Sequence, residues 1–184
     1  MRAVIQRVAK ANLKVNGKAK AEIGPGLVVT IGVARNDNLR DVEHIAARVV
    51  NMRIFNDESG RMSQSLKDIG GEVILLCHVS LLGDCSKGRR PSFTYAGSSR
   101  KRARLLAELA KQIEEAEVTV QTASEEDPVT LEIECDGPIT LLADSKRSII
   151  FRRKRRRHTS SGLQRPYTRR RRPYYNRYQG DRRR

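Results

Sequence analysis

The sequence predicts an α+β domain built around a mostly antiparallel sheet, and three features indicate it. Several short runs alternate apolar and polar residues with the period of β-strands. Two longer segments place their apolar residues at helical spacing instead. The order along the chain is strands, helix, strands, helix, strands, which is typical of helices packed on one side of a sheet. At 184 residues, the chain suffices for one domain with a full core and an additional segment.

Strand-like sequence occupies the first part of the chain. Residues 3–15 alternate, and Asn16-Gly17 stands where a tight hairpin turn belongs. The runs KAKAEI and GLVVTIGV predict two further strands, separated by a Gly-Pro-Gly turn. Asp37 or Asn38 can then cap a helix. The apolar positions predicted for this helix are Val42, Ile45, Ala46 and Val49.

The rest of residues 1–150 is predicted to form strands around a second helix. Residues 53–55 form a short candidate strand, and EVILLCHVSL (72–81) is apolar on both faces, as expected of a strand covered on both sides. A helix is predicted from about Ser99 to Glu115. Its expected buried stripe is Ala103, Leu106, Ala110 and Ile113. Two strands, 129–135 and 138–144, close the body and are separated by Asp136-Gly137.

The positive charge of the chain is concentrated at one end. Residues 151–184 contain 15 Lys+Arg against the single acid Asp181, so they carry +14 of the formal +16. We therefore predict a domain over 1–150 and a basic segment, 151–184, that does not fold alone because it has almost no aliphatic side chains to bury. This segment also contains four of the five tyrosines. Arginine can bind phosphates and tyrosine can stack on bases, so the segment is predicted to contact RNA, with rRNA one candidate; a solubilising or cloning-derived tail is the alternative.

Other classes of function are disfavoured by composition. The three cysteines have no CxxC spacing and the three histidines do not cluster with them, so no metal site is predicted. Reduced thiols are typical of an intracellular protein. Strand-like sequence follows Met1 directly, which predicts no secretion leader. No apolar run approaches the roughly 20 residues of a membrane span, so we expect a cytoplasmic protein with no membrane contact.

Five segments of the body resemble the D-aminoacyl-tRNA deacylases, also called D-tyrosyl-tRNA deacylases. They are MRAVIQRV, IGPGLVVTIGV, NMRIFNDESGRMSQSLKDIGGE, SKGRRPSF and DGPITLLAD. The resemblance implies a homodimer of compact β-rich domains, with layered sheets in a barrel-like β/β/α arrangement and two helices outside. It implies hydrolysis of the ester that joins a D-amino acid to the 3′ end of tRNA. It also implies that no metal or organic cofactor takes part. The basic segment lies outside the resemblance.

Gly137-Pro138 matches one of the two elements that form the site in this family. There the peptide bond is cis, and the partner subunit inserts the pair into the pocket so that main-chain carbonyls meet the substrate's α-amino group. An L-amino acid would push its side chain into that wall, so chirality is selected by exclusion. A plain hairpin turn at Asp136-Gly137-Pro138 is the alternative interpretation of these residues.

The second element departs from the family pattern Ser-Gln-Phe-Thr-Leu. The chain has Cys77, His78, Val79, Ser80 and Leu81 at these positions. Ser80 retains a hydroxyl, and backbone N–H groups near His78 and Val79 are expected to polarise the ester carbonyl. A nucleophilic pair of Cys77 and His78 is disfavoured, because adjacent strand residues point to opposite faces. The sequence leaves open which of the two side chains faces the pocket.

The nearby loops give one feature for RNA binding and one against it. By resemblance, Lys87, Arg89 and Arg90 meet tRNA phosphates, while Phe93 is expected to anchor their loop in the core. A Gly-x-Phe-Gly-x-x-Met pattern of the family is replaced by residues 123–129, ASEEDPV. Carboxylates there would repel a tRNA 3′ end by about 1 kcal/mol per close pair.

These features give two hypotheses for the function. The first is a D-aminoacyl-tRNA deacylase acting as a homodimer on mischarged tRNA, favoured by the intact DGPIT and KGRRPSF segments. The second is a catalytically impaired relative that binds RNA or the ribosome through its basic tail. The altered residues 77–78 and the acids at 125–127 favour the second. The sequence places the enzyme first.

Overall fold

The computed structural model describes residues 1–86, 88–125 and 127–146. The basic segment predicted over 151–184 therefore lies outside the described residues, as does Lys87. The strands are β1 (Arg2–Val15), β2 (Lys18–Ile23), β3 (Gly26–Gly32), β4 (Phe55–Asn56), β5 (Met62–Gln64), β6 (Glu72–Cys77), β7 (Val120–Thr122) and β8 (Val129–Asp144). The helices are α1 (Leu39–Asn51) and α2 (Ser99–Glu114), and a short 3₁₀ turn covers Val79–Leu82.

A curled, barrel-like sheet of six strands organises the domain, and β1 forms the longest strand pairing in it. On one side β1 pairs with β8 along almost its whole length. On the other side it pairs with β3 through its first half and with β2 through its second half. These pairings are antiparallel, whereas β3–β6 and β6–β7 are parallel. The predicted α+β fold with a mostly antiparallel sheet is confirmed.

The two faces of the sheet carry separate apolar cores. The larger core lies under the helices and includes Ile5, Val29, Leu75 and Cys77 from the strands. The smaller core lies on the opposite face, inside the curl, and consists of Val8, Ala11, Leu13, Ile23, Val28, Ile74 and Ala123. Successive strand residues point to opposite faces. A one-residue step along β6 therefore moves a side chain from one core to the other.

The helices form where periodicity predicts them, with a correction for α2. Asn38 caps α1 and forms a capping box with Asp41, and all four apolar positions predicted for α1 are buried. In α2 the buried residues are Leu105, Leu106, Leu109 and Ile113. The predicted buried stripe was therefore wrong at Ala103 and Ala110. The leucines of α2 are buried instead, because they remove more apolar surface from water than the alanines.

Three strand predictions were also wrong in detail. The strand expected over 72–81 ends at Cys77 and gives way to the 3₁₀ turn. The strands expected at 129–135 and 138–144 are one continuous strand, β8. The short strands β5 and β7 were not predicted, since three residues are too few to show an alternating pattern.

Candidate active site

The centre of β8 contains a wide bulge at Gly137-Pro138. Gln6 of β1 pairs with Thr140 and Val8 pairs with Cys135, so Arg7 alone lies opposite four residues of β8. Both halves of β8 continue along the same partner strand. The alternative of a hairpin turn at Asp136-Gly137-Pro138 is therefore wrong, because a hairpin would reverse the chain.

The buried side chain of Arg7 fixes this bulge from beneath. Its guanidinium Nε lies 2.9 Å from a carboxylate oxygen of Asp136. The same nitrogen donates to the Asp136 carbonyl at 3.3 Å, and Nη1 donates to the carbonyl of Ile54 at 2.6 Å. Arg7 is only 4% exposed. A buried charge with three such acceptors holds the backbone of residue 136 in one position.

The bulge itself faces outward. The Gly137–Pro138 peptide bond is cis, and both residues are exposed. Gly137 has φ +116°, and a Cβ at this position would lie 2.9 Å from Cγ1 of Ile139. Glycine is thus required here for its backbone conformation and for the space around it.

A cavity of about 500 Å³ opens on the curled face of the sheet, where β6 ends. Its described lining residues are Thr30, Leu76, Cys77, His78, Ser80, Ala123, Ser124, Glu125, Asp127, Pro128, Val129 and Leu131. The cavity has the size and the mixed apolar and polar lining typical of small-ligand sites. Gly137 and Pro138 are not among the residues that line it within one chain.

Both Cys77 and His78 line the cavity at the end of β6, but they differ in burial. Cys77 is buried and belongs to the core under the helices, whereas His78 is exposed at the cavity. Burial, together with the charge of Glu125, raises the pKa of the Cys77 thiol to about 12. The thiol is therefore protonated near neutral pH and is a poor nucleophile. A Cys77–His78 pair is excluded on both geometry and protonation.

His78 and Ser80 face each other instead. The Nδ1 atom of His78 lies 2.6 Å from the Oγ atom of Ser80, and the backbone N–H of Ser80 donates to the same Nδ1 at 3.2 Å. The N–H of His78 donates to the Ile31 carbonyl at 2.9 Å. Two backbone N–H groups, those of His78 and Val79, were expected to polarise the ester carbonyl. The His78 N–H is already engaged, so the Val79 N–H remains the candidate donor.

The 3₁₀ turn that carries Ser80 is fastened to the sheet from below. Arg2 donates to the Leu81 carbonyl at 2.9 Å. A Cβ on Gly32 would lie 2.9 Å from Cβ of Leu81 and 3.1 Å from Cγ of Leu82, so only glycine lets the turn approach β3 this closely. The turn is thus attached to the sheet through its backbone and its leucines, and the exposed side chains of His78 and Ser80 take no part in that attachment.

The acid-rich loop does not present the bare charge that the sequence suggested. The carboxylate of Glu125 forms an ion pair with Nε of Arg102, and each side chain is 15% exposed. Arg102 also donates to the Gly97 carbonyl. Asp127 lines the cavity, while Glu126 lies outside the described residues. At least one of the predicted repulsive charges is therefore compensated from α2.

Basic residues lie at the tip of a small loop that follows the 3₁₀ turn in the chain. Asp84 and Ser92 pair at its base through backbone hydrogen bonds of 2.8 and 3.0 Å. Arg89 and Arg90 are exposed at the tip, and Gly88 has φ +71°. The expectation that Phe93 anchors the loop in the core is wrong, since it is 43% exposed. Its ring lies against Gly83 instead.

Within the part of the chain that the structure describes, no three His, Cys, Asp or Glu side chains come together as metal ligands. Over the same residues, no helix is long and apolar enough to cross a membrane.

Sequence reasoning missed two residues that build this site. Arg7 carries no motif of its own, but a charged residue in an otherwise strand-like run could have signalled a buried ion pair. Arg102 looked like one more cation on the outer face of α2. Its partner, Glu125, is 23 residues away, and no local pattern predicts such a pair.

The chain is similar to several known proteins in sequence and in fold. Residues 4–144 match the family described as D-Tyr-tRNA(Tyr) deacylase. A D-aminoacyl-tRNA deacylase of Thermoanaerobacter pseudethanolicus is 44% identical over 147 residues, covering 80% of this chain and 99% of that protein. A solved structure of a c-Myc DNA unwinding element binding protein has a TM-score of 0.73 at 28% identity, covering 78% of this chain and 98% of that one. Another, titled a probable eukaryotic D-amino acid tRNA deacylase, shares the fold with a TM-score of 0.67 at 18% identity, covering 77% of this chain and 97% of that one.

Proposed function

The chain belongs to the D-aminoacyl-tRNA deacylase family, and from that premise we propose that it hydrolyses the ester bond of D-aminoacyl-tRNA, releasing free D-amino acid and tRNA. The observation that carries the proposal is the outward-facing Gly137-Pro138 bulge, held by the buried Arg7. A rigid pair of carbonyls is what recognition of an α-amino group requires. A wall of backbone atoms also excludes the side chain of an L-amino acid without needing any side chain of its own.

We further propose that the active form is a homodimer in which the bulge of one chain closes the cavity of the other. Two features support this arrangement. Gly137 and Pro138 are exposed and do not line the cavity of their own chain. Strand β8 pairs only with β1 among the described strands, and it exposes Leu142 to 58% and Val129 to 37%. An open strand edge with apolar side chains is typical of a surface that a partner covers.

The catalytic side of the site, in this proposal, is the segment from Cys77 to Ser80. Ser80 and His78 present polar atoms to the cavity, and the Val79 N–H is the candidate donor to the ester oxygen. Cys77 fills the core and shapes the segment without taking part in the chemistry. The substrate's terminal adenosine would occupy the cavity.

RNA contact is assigned to the basic loop and the basic tail. Arg89 and Arg90 are exposed on the loop that follows the 77–80 segment and would meet phosphates near the tRNA 3′ end, with Lys87 as a third cation. The segment 151–184, which adds a charge of +14, would bind RNA, with rRNA one candidate, in a salt-dependent manner. We propose that the protein acts in the cytoplasm, on aminoacyl-tRNA made there.

The direct test is hydrolysis of D-aminoacyl-tRNA by the full chain, beside the matching L-aminoacyl-tRNA. We expect hydrolysis of the D-substrate and protection of the L-substrate. A chain that ends at residue 150 should retain the chemistry and lose the part of its salt-sensitive affinity for tRNA that residues 151–184 supply. Equal rates with the two enantiomers, or no hydrolysis by either chain, would overturn the proposed activity.

A further inference from the structure

Two of the three aromatic side chains in residues 1–150 lie on the surface of the domain. Phe55 is buried in the core under the helices, whereas Phe93 and Tyr95 are exposed, Tyr95 to 65%. An aromatic ring gains much by leaving water, so two exposed rings within three residues mark a surface that binds something. The proposed hydrolysis gives neither ring a role.

The backbone holds Tyr95 outward on a supported turn. The N–H of Ala96 donates to the Phe93 carbonyl at 3.0 Å, so Tyr95 occupies a central position of a β-turn. The Tyr95 carbonyl accepts from the Arg35 N–H at 3.1 Å, and Nζ of Lys101 donates to the Arg35 carbonyl at 2.7 Å. The segment after β3 is thus joined both to this turn and to the first turn of α2. The exposed ring therefore stands on a fixed backbone, with Arg35 beside it.

The chain around the two rings carries positive charge alone. Residues 85–107 contain seven Lys+Arg and no Asp or Glu. On other faces of the domain, exposed cations pair with acids, as Lys14 does with Glu132. Arg35 and Arg100 are exposed, and within the part of the chain that the structure describes no ion pair engages either side chain. Free guanidinium groups beside exposed rings are the composition of a surface for single-stranded RNA, which offers phosphates and bases together.

Phe93 connects this surface to the candidate active site. A Cβ built on Gly83 would lie 3.1 Å from Cε1 of Phe93 and 3.1 Å from the carbonyl oxygen of Ser80, so the ring lies beside the end of the 3₁₀ turn. The N–H of Gly83 closes that turn by donating to the Ser80 carbonyl at 3.0 Å. Ser80 also lines the cavity. An RNA strand whose last nucleotide fills the cavity therefore has Phe93 and Tyr95 within reach of the nucleotides before it.

From these observations we propose that the aromatic-basic surface formed by Arg35, Phe93, Tyr95 and Arg100 binds the unpaired nucleotides that precede the terminal adenosine of the substrate tRNA. The inference rests on the proposed function. The Tyr95 ring stacks on a base, and the two arginines bind the neighbouring phosphates. A second copy of the chain fits this surface poorly, because a two-fold contact through it would set its cations against their own copies.

A tryptophan reporter tests the stacking directly. The chain has no tryptophan, so Tyr95→Trp places a single indole on this surface of the full chain. Met62→Trp is the matched control, because Met62 is equally exposed and lies on β5, in the separate two-stranded sheet. We expect a short single-stranded RNA ending in CCA to quench Tyr95→Trp about threefold more strongly than Met62→Trp. An abasic RNA of the same length should bind without this difference, since it offers phosphates and no bases.

Kinetics on two substrates separate this surface from the catalytic centre. With D-aminoacyl-tRNA, Tyr95→Ala should raise KM about tenfold and leave kcat within about twofold, whereas Tyr95→Phe, which keeps the ring, should match the wild type. With D-aminoacyl-adenosine, which lacks the preceding nucleotides, Tyr95→Ala and the wild type should react at equal rates. Met62→Ala should change neither substrate. Arg35→Gln and Arg100→Gln should each weaken the salt dependence of KM for the tRNA.

The outcomes distinguish this inference from the proposed function. Equal quenching of Tyr95→Trp and Met62→Trp, or equal quenching of Tyr95→Trp by the abasic RNA, overturns the stacking even where D-aminoacyl-tRNA is hydrolysed. The same loss of rate on both substrates in Tyr95→Ala overturns it as well, because it shows a structural role. Dissociation of a dimer in Tyr95→Ala, measured by sedimentation, would assign the surface to a second copy instead. Base-dependent quenching in a chain that hydrolyses neither substrate would keep the RNA surface and reject the proposed activity.

Discussion

Gly137 and Pro138 are held by a distant part of the chain, whereas His78 and Ser80 are held by each other. The bulge of β8 depends on Arg7, which lies on another strand and is buried. The 77–80 segment depends on a hydrogen bond between side chains two residues apart and on a backbone fastened by Arg2. The bulge, which depends on a distant buried residue, keeps the family pattern, whereas the 77–80 segment, which is held by local contacts, departs from it. A wall made of backbone carbonyls needs a fixed support, whereas a turn held by local contacts can form with other side chains that make equivalent contacts.

The largest effect is expected from removing the support of the bulge. Arg7→Ala leaves the carbonyls of Asp136 and Ile54 without their charged donor, and we expect a stability loss of about 3 kcal/mol. Deacylation of D-aminoacyl-tRNA should fall about 100-fold, because a displaced wall no longer orients the ester. Urea unfolding and single-turnover rates would measure the two effects.

Lys14→Ala is the matched control for Arg7→Ala. Lys14 lies on the same strand and pairs with Glu132 of the same partner strand, but both side chains are more than a third exposed. An exposed pair contributes less than about 1 kcal/mol, and activity should be unchanged. Similar losses in the two variants would show that the burial of Arg7 is not what matters.

A smaller effect is expected from a methyl group in the bulge. Gly137→Ala places a Cβ 2.9 Å from Ile139 at a φ of +116°, so we expect a stability loss of about 1–3 kcal/mol. Discrimination between D- and L-aminoacyl-tRNA should weaken as the wall shifts.

Gly24→Ala is the glycine control for Gly137→Ala. Gly24 has nothing within 4 Å of the added Cβ and an ordinary φ. Thermal unfolding and the ratio of D to L rates should therefore match the wild type. A Gly137→Ala chain with an unchanged ratio would contradict the role given to the bulge.

In the cavity half of the site, the ion pair in which Arg102 neutralises Glu125 predicts a charge effect on substrate binding. Arg102→Ala exposes the carboxylate to the tRNA 3′ end, and we expect KM to rise about fivefold at low salt with kcat less affected. The double variant Arg102→Ala with Glu125→Gln should recover most of that loss. Failure of the double variant to recover would mean that Arg102 itself contacts tRNA.

The smallest effect is expected at Cys77. Because its pKa is raised from 9.0 to about 12 in the folded chain, iodoacetamide at pH 7.5 should modify the exposed Cys85 and Cys135 and leave Cys77 intact. The raised pKa means that the unfolded thiol ionises first, so stability should decline as pH rises from about 9 toward 12. Cys77→Ala should remove this contribution, and rapid alkylation of native Cys77 would contradict its burial.

The sequence predicts the elements whose signals are local and misses those that depend on distant pairing. The capped α1 and the long alternating β1 were readable because capping and period are short-range. The continuity of β8 across Gly137-Pro138 could not be predicted, since Asp-Gly-Pro in isolation has the composition of a turn.

The same division applies to the site. Resemblance supplied Gly137, Pro138 and Ser80, but the hydrogen bond between His78 and Ser80 depends on the strand ending at Cys77. Had the strand continued through residue 80, His78 and Ser80 would have pointed to the same face about 7 Å apart, too far for a hydrogen bond. The 3₁₀ turn brings them together, and nothing in the apolar run 72–81 predicts it.

Mixing two defective chains tests most directly whether the two halves of a site come from different subunits. Arg7→Ala carries a damaged bulge and Ser80→Ala carries a damaged cavity, and both would be co-expressed and purified as mixed assemblies. If sites form between subunits, each mixed dimer contains one intact site, and random pairing should restore about a quarter of the wild-type rate. If the mixture is no more active than the average of the two variants alone, the bulge and the cavity of one chain do not serve another.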